Sequence, residues 1–139
     1  MGTIHRLSCN NCGAEERYSS GVGMLSFETS EALIKGDLKV LKRVTSDETY
    51  RKVKKIIKDE TGDIGFIQNQ SNFCCTNCHT ASHLYQVQVI GISTGVWTEL
   101  LNCDACGAVM QQTKKDLDKF NCKKCGTPAL EDEHVGIWD

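Results

Sequence analysis

CDACGAVMQQTKKDLDKFNCKKCG, residues 103–126, holds two Cys-x-x-Cys-Gly turns separated by the 15 residues 107–121. A Cys-x-x-Cys turn brings two thiolates onto one metal ion, and two such turns complete a tetrahedral zinc site. The interval from Cys106 to Cys122 sits at the lower edge of the roughly 15–20 residues usual for four-cysteine sites. Glycine follows each turn, at Gly107 and Gly126, where the backbone needs positive φ and a Cβ would clash. Backbone N–H groups in such a turn can point at the sulfurs and stabilise their negative charge.

The same spacing recurs earlier, as CNNCG at Cys9/Cys12 and CTNCH at Cys75/Cys78, the latter with His79 in place of glycine. One Cys-x-x-Cys would also suit a thioredoxin-like redox site, whereas four in one chain point to metal. Cysteine-rich chains use disulfides in oxidising compartments and metals in reducing ones. The N-terminal MGTIHRLSCNNCG has neither the apolar run nor the cleavage site of a secretory signal. It has no Ser or Thr at position 6 for myristoylation, and no segment has the length of apolar residues that spans a bilayer. The expectation is a cytoplasmic protein holding two Zn2+ per chain, with iron the less favoured metal. Its ligands are Cys9, Cys12, Cys75, Cys78, Cys103, Cys106, Cys122 and Cys125.

Residues 98–130 resemble the zinc-ribbon and rubredoxin-like group, on Cys103, Cys106, Gly107, Cys122, Cys125 and Gly126. The resemblance implies short hairpins whose two knuckles clamp one metal. Cys103/Cys106 are then paired with Cys122/Cys125, and elimination pairs Cys9/Cys12 with Cys75/Cys78. A crossed arrangement, Cys75/Cys78 with Cys103/Cys106, stays open. The expected fold class is α+β. It consists of two zinc-ribbon-like β units, residues 1–95 and 96–139, with a helical insert over about 29–60 in the first.

Within that insert, TSEALIKGDLKVLKRV (29–44) has helical spacing of Leu33, Ile34, Leu38, Leu41 and Val44, a Thr29 or Ser30 N-cap, and Gly36 as a break. TSDETYRKVKKIIKDETG starts with a capping-box pattern, Thr45 to Glu48. Tyr50, Val53, Ile56 and Ile57 line one face and Gly62 is a C-terminal stop, which predicts a helix from about 46 to 60. Gly21-x-Gly23 reads as a turn, since no strand–helix context makes it a nucleotide loop. RLSC, IGFIQNQ and LYQVQVIGIS read as strands. In the last, Tyr85, Val87 and Val89 alternate with Gln86 and Gln88, as in a sheet with one wet face. WTELLNC is expected to lead into the third knuckle, GAVMQQ away from it, and the apolar end of the tail to pack back.

Cys74 is the ninth cysteine. Beside a metal-facing Cys75 it points to the opposite face and behaves as a small buried apolar residue. His79 and His83 are read as surface or supporting residues. No paired carboxylates, Ser–His–Asp arrangement or phosphate loop stands out, so no enzymatic chemistry is assigned. Residues 35–58 carry nine basic side chains against three acidic ones in a chain of net charge -2. That asymmetry makes nucleic acid a possible partner, through Lys52, Lys54, Lys55 and Lys58. The primary expectation is a macromolecular recognition or adaptor module binding an unidentified protein, its metals structural. A rubredoxin-like iron electron carrier is the third reading.

Overall fold

The computed structural model describes residues 2–21, 31, 35 and 37–138. Thr29, Ser30, Leu33, Ile34 and Gly36 of the first expected helix, and Gly23 of the expected turn, lie outside the described residues. The elements in chain order are β1 (Gly2–Cys9), β2 (Glu15–Gly21), α1 (Leu38–Val44), α2 (Asp47–Asp59), β3 (Ile64–Cys74), β4 (Ala81–Gly91), β5 (Gly95–Thr98), β6 (Gln111–Thr113) and β7 (Leu130–Trp138). Strands form two sheets, of order β2-β1-β7 and β5-β4-β3-β6, and each pairing with a defined register is antiparallel.

The chain divides into two compact units, each assembled from separated stretches. One comprises Met1–Gly23, Gln70–Tyr85 and Leu100–Asp139; the other comprises Met24–Asn69 and Gln86–Glu99. All nine cysteines fall in the first.

In the first unit, β1 is the central strand of its sheet. It pairs with β2 from Gly2↔Gly21 to Ser8↔Glu15, and with β7 from Gly2↔Trp138 to Cys9↔Leu130, with a bulge between Ile4 and His5. Leu7 alternates inward and joins Ala81, Leu117 and Phe120 in a buried cluster. Leu117 and Phe120 bracket a single 3-10 turn, Leu117–Lys119, in the segment between the last two knuckles. A second cluster joins Phe73, Cys75, Cys103 and Met110. The third knuckle is entered through an isolated Asn102↔Val109 bridge, not through the expected strand from Trp97. The expected tail cluster is part of a strand, β7, running the length of β1.

In the second unit, Asp37 caps α1, its side chain accepting from Lys39 N at 3.1 Å. The cap of α2 is Ser46, which accepts from Thr49 N at 3.2 Å, and not Thr45. Thr45 instead closes α1: its N–H and hydroxyl both donate to Leu41 O. The two helices are so close in sequence that Thr45 is committed to the end of the first, and the cap moves one residue on. The core is Leu41, Val53, Val87 and Val89, packed by Tyr50, Ile56, Ile57, Ile64, Phe66 and Trp97 among others. Tyr85, expected on that inward face, is exposed.

Two carboxylates lock α2 to the β4–β5 hairpin. Glu99 is 8% exposed and accepts from Thr49 Oγ1 at 2.8 Å and Val87 N at 3.0 Å. Such donors are what a buried carboxylate requires. Glu60 ends α2 and accepts from the hydroxyls and N–H groups of Ser93 and Thr94 and from Gly62 N, at 2.6–3.2 Å. The Thr94 hydroxyl first, then Ser93, holds its carboxyl well below the usual carboxylate range. Gly62 thus serves as a donor to Glu60, not as the expected left-handed stop, since its φ is not positive.

Candidate metal centres

Each knuckle closes with the same pair of backbone hydrogen bonds. The residue four after the first cysteine donates to that cysteine's carbonyl: Gly13 to Cys9, His79 to Cys75, Gly107 to Cys103 and Gly126 to Cys122, at 2.8–2.9 Å. The first cysteine's N–H in turn donates to the carbonyl five residues on, of Ala14, Thr80, Ala108 or Thr127, at 2.8–2.9 Å. The turn therefore forces the fourth residue into the left-handed region, with φ of 73° at Gly13 and 75° at Gly107 and Gly126. His79, at φ 56°, is the single non-glycine residue with positive φ among the described residues. Its carbonyl accepts from Asn121 N at 2.8 Å and its ring lies 5.4 Å from that of Phe120. Those contacts hold the segment leading to Cys122.

The eight paired cysteines gather into two tetrads, Cys9, Cys12, Cys122 and Cys125, and Cys75, Cys78, Cys103 and Cys106. Within each, the sulfurs all lie within 4.8 Å of one another. Closest sulfur pairs are Cys9–Cys125 at 3.6 Å, Cys12–Cys122 at 3.7 Å and Cys75–Cys106 at 3.5 Å. Four thiolates around a zinc ion at about 2.3 Å stand roughly 3.8 Å apart, so the donor sets fit tetrahedral coordination.

These are not the pairs favoured by spacing. Cys103/Cys106 join Cys75/Cys78, the crossed arrangement, and Cys122/Cys125 join Cys9/Cys12. The physical reason is the antiparallel pairing of β1 with β7. Cys9↔Leu130 and the bond from Asn10 N to Ala129 O (2.9 Å) lay the first knuckle beside the last. Each tetrad thus takes one knuckle from before residue 95 and one from after it.

Hydrogen bonds set the sulfurs apart electrostatically. The Thr127 hydroxyl (3.0 Å) and N–H, with the Asn11 amide, hold Cys125 down to about 5. The Asn77 side chain and Ala108 N–H hold Cys106 down to about 6. Cys78 is pushed up to about 12, first by the Cys106 sulfur beside it and then by burial. At Cys12 the Ala14 N–H pulls down, but burial and three neighbouring sulfurs outweigh it and raise the thiol to about 11. Four such groups cannot all ionise together, whereas a divalent cation among them stabilises every thiolate and displaces the protons. Both tetrads use all four sulfurs in a closed set.

Cys74 packs against the Leu7–Phe120 cluster, on the opposite side from Cys75. His83 lies apart from both tetrads. Its Nδ1 is 2.6 Å from Asn72 Oδ1, its Nε2 is buried without a partner, and burial lowers its pKa. It stands 5.1 Å from Tyr18 in a group that the sequence did not reveal. There Asp132 is bonded by the Tyr18 hydroxyl and by His5 Nδ1 (3.0 Å), while Thr3 Oγ1 and Ser20 Oγ lie 3.0 and 3.4 Å from His5 Nε2. The register brings these side chains together from three strands; Thr3↔Ser20 and His5↔Tyr18 are cross-strand partners. No local spacing announces such a ladder.

In the second unit Lys52, Lys54, Lys55 and Lys58 all lie exposed on α2. Among the described residues no helix is long and apolar enough to cross a membrane. Comparison of the chain with protein-family models, curated proteins and solved structures finds no match.

Proposed function

We propose that the chain is a zinc protein with one structural Zn2+ in each tetrad, and that it works as a macromolecular recognition module. The observation that carries the reading is the pair of tetrads, each bringing four sulfurs within 4.8 Å of one another. Closed four-cysteine sites leave no open position for substrate, which is the mark of a structural zinc site. A small unit with divided apolar clusters gains stability from metal in place of a larger core. Its exposed surfaces are then free for a partner.

Elemental analysis of protein purified without added metal tests the metal assignment. The expected result is two zinc ions per chain, falling to one in Cys75→Ser/Cys78→Ser and to one in Cys122→Ser/Cys125→Ser. Four thiolates also accept iron. Red protein with iron bound in a cell grown at ordinary iron levels would replace the structural reading with electron transfer.

A further inference from the structure

The partner of this proposed recognition module is named by charge. We propose that the exposed stripe of Arg51, Lys54, Lys55 and Lys58 on α2, extended by Lys42 of α1, binds the phosphate backbone of double-stranded DNA. The inference rests on the recognition-module reading and specifies its partner.

At about 100° per residue, Arg51, Lys54, Lys55 and Lys58 fall within roughly 100° of the circumference of α2 and span about 10 Å along its axis. All four are exposed. Lys52, which the sequence alone grouped with them, turns toward the side carrying Glu48 and Asp59, and Arg51 takes its place in the stripe, which carries one exposed carboxylate, Asp47, at its N-terminal end. Lys42 Nζ lies 5.9 Å from the Tyr50 ring. Tyr50 is one turn before Lys54, so α1 adds its charge at that edge. None of these five cations enters an ion pair among the described residues. They gather on a chain whose net charge is -2, so the accumulation is local and not a property of the whole sequence.

The opposite face of α2 decides against a bilayer. Membrane-surface helices bury an apolar face in lipid. Here Val53 is fully buried and Tyr50, Ile56 and Ile57 are packed on the unit's own core. What is left exposed is charge without a wedge. Single strands are held by stacking bases on aromatic rings, and the exposed sector of α2 carries none. A phosphate-tracking contact with a duplex remains. The B-form major groove is wide enough for an exposed helix face to lie along it and reach phosphates on its rims, whereas the A-form groove of RNA is too deep and narrow to admit one.

The test is fluorescence anisotropy of a labelled DNA duplex of about 20 base pairs, titrated with the full chain over about 50–200 mM salt. Five phosphate contacts, Lys42 included, give a slope of log Kobs against log[salt] of about -4.5. Arg51→Gln/Lys54→Gln/Lys55→Gln/Lys58→Gln should weaken binding at least roughly tenfold at low salt and flatten the slope by about 3.6. Lys114→Gln/Lys124→Gln, exposed cations of the first unit, should leave both unchanged. Metal content and the helical circular dichroism are read on the same samples. Two zinc ions with no salt-dependent duplex binding overturns the DNA inference and leaves the metal reading standing. Duplex binding unaffected by the quadruple variant also overturns it, as does tighter binding to vesicles of anionic phospholipid or to a single strand than to the duplex. Duplex binding lost in the quadruple variant supports the inference, even in a protein whose metal content refutes the zinc assignment.

Discussion

The two units bury different things. In the unit that carries the tetrads, the buried apolar residues are split between two small clusters, and cysteines make up part of one of them. In the other, which has no cysteine, one aliphatic cluster collects side chains from two helices and three strands. The first has short connections whose course is fixed by knuckles; the second has an amphipathic helix whose apolar face supplies its own driving force. With the proposed metals in the tetrads, the contrast teaches that metal and packing are alternative ways to order a small unit, and it says where each perturbation should act.

Removing the metals is the strongest test of that contrast. A structural zinc site contributes on the order of 10–16 kcal/mol in small domains. Chelation should therefore abolish amide protection in β1 and β7, while the amides of α2 around Val53 stay protected. Hydrogen exchange followed by NMR before and after chelation reads both at once. Loss of protection in α2 together with β1 would mean that the two units are one cooperative structure and that the contrast is false.

The converse perturbation is Leu41→Ala. Leu41 is fully buried at the centre of the aliphatic cluster. Its truncation should cost about 2–5 kcal/mol in denaturant unfolding of the second unit. Metal stoichiometry should remain at the wild-type value. A variant that sheds a metal ion would show that packing in one unit supports the sites in the other.

A smaller effect is expected at the Glu60 clamp. Its folded-state pKa is depressed, so the stability it confers is present above the ordinary carboxylate pKa of about 4.3 and is lost as pH falls toward the folded value. Glu60→Gln should remove that acid-side dependence, read as amide exchange at Ser93 and Thr94. Gly91→Ala attacks the same clamp sterically. An added Cβ would stand 2.1 Å from both Glu60 Oε2 and Thr94 Oγ1. The clash displaces the Glu60 carboxylate from its Ser93 and Thr94 donors, so exchange at those amides should speed up. If Gly91→Ala leaves the hairpin's exchange untouched, the clamp does not hold it.

How much of this was legible depends on range in the chain. The knuckles were, because the Cys-x-x-Cys turn and its left-handed fourth residue are local geometry repeated four times. The helix over Asp47–Asp59 was, because Tyr50, Val53, Ile56 and Ile57 recur with helical period. Which knuckles meet was not: that is decided by strands some 120 residues apart, and the 15-residue interval after Cys106 pointed elsewhere. That interval proved to carry Leu117 and Phe120 into a core. Glu60 and Glu99 were silent for the same reason, since each finds its donors across the unit. The His5–Asp132–Tyr18 ladder likewise exists only once β1, β2 and β7 are in register.

His79 tests the knuckles against one another. Three of the four place glycine where the turn needs positive φ, and the fourth accepts the cost of a histidine there, about 1–2 kcal/mol for a residue with a Cβ. The ring's contact with Phe120 offsets part of that. Two variants separate the contributions. His79→Ala keeps the strain and loses the ring, so it should be less stable than wild type. His79→Gly loses the ring and relieves the strain, so it should exceed His79→Ala by about 1 kcal/mol in unfolding of the metal-loaded protein. Equal stability of the two variants would mean that φ at this position is relaxed and that the second tetrad is closed differently from its neighbour. If His79→Gly also outlasts wild type, the histidine serves something other than the stability of the turn, and its ring against Phe120 marks the place to look.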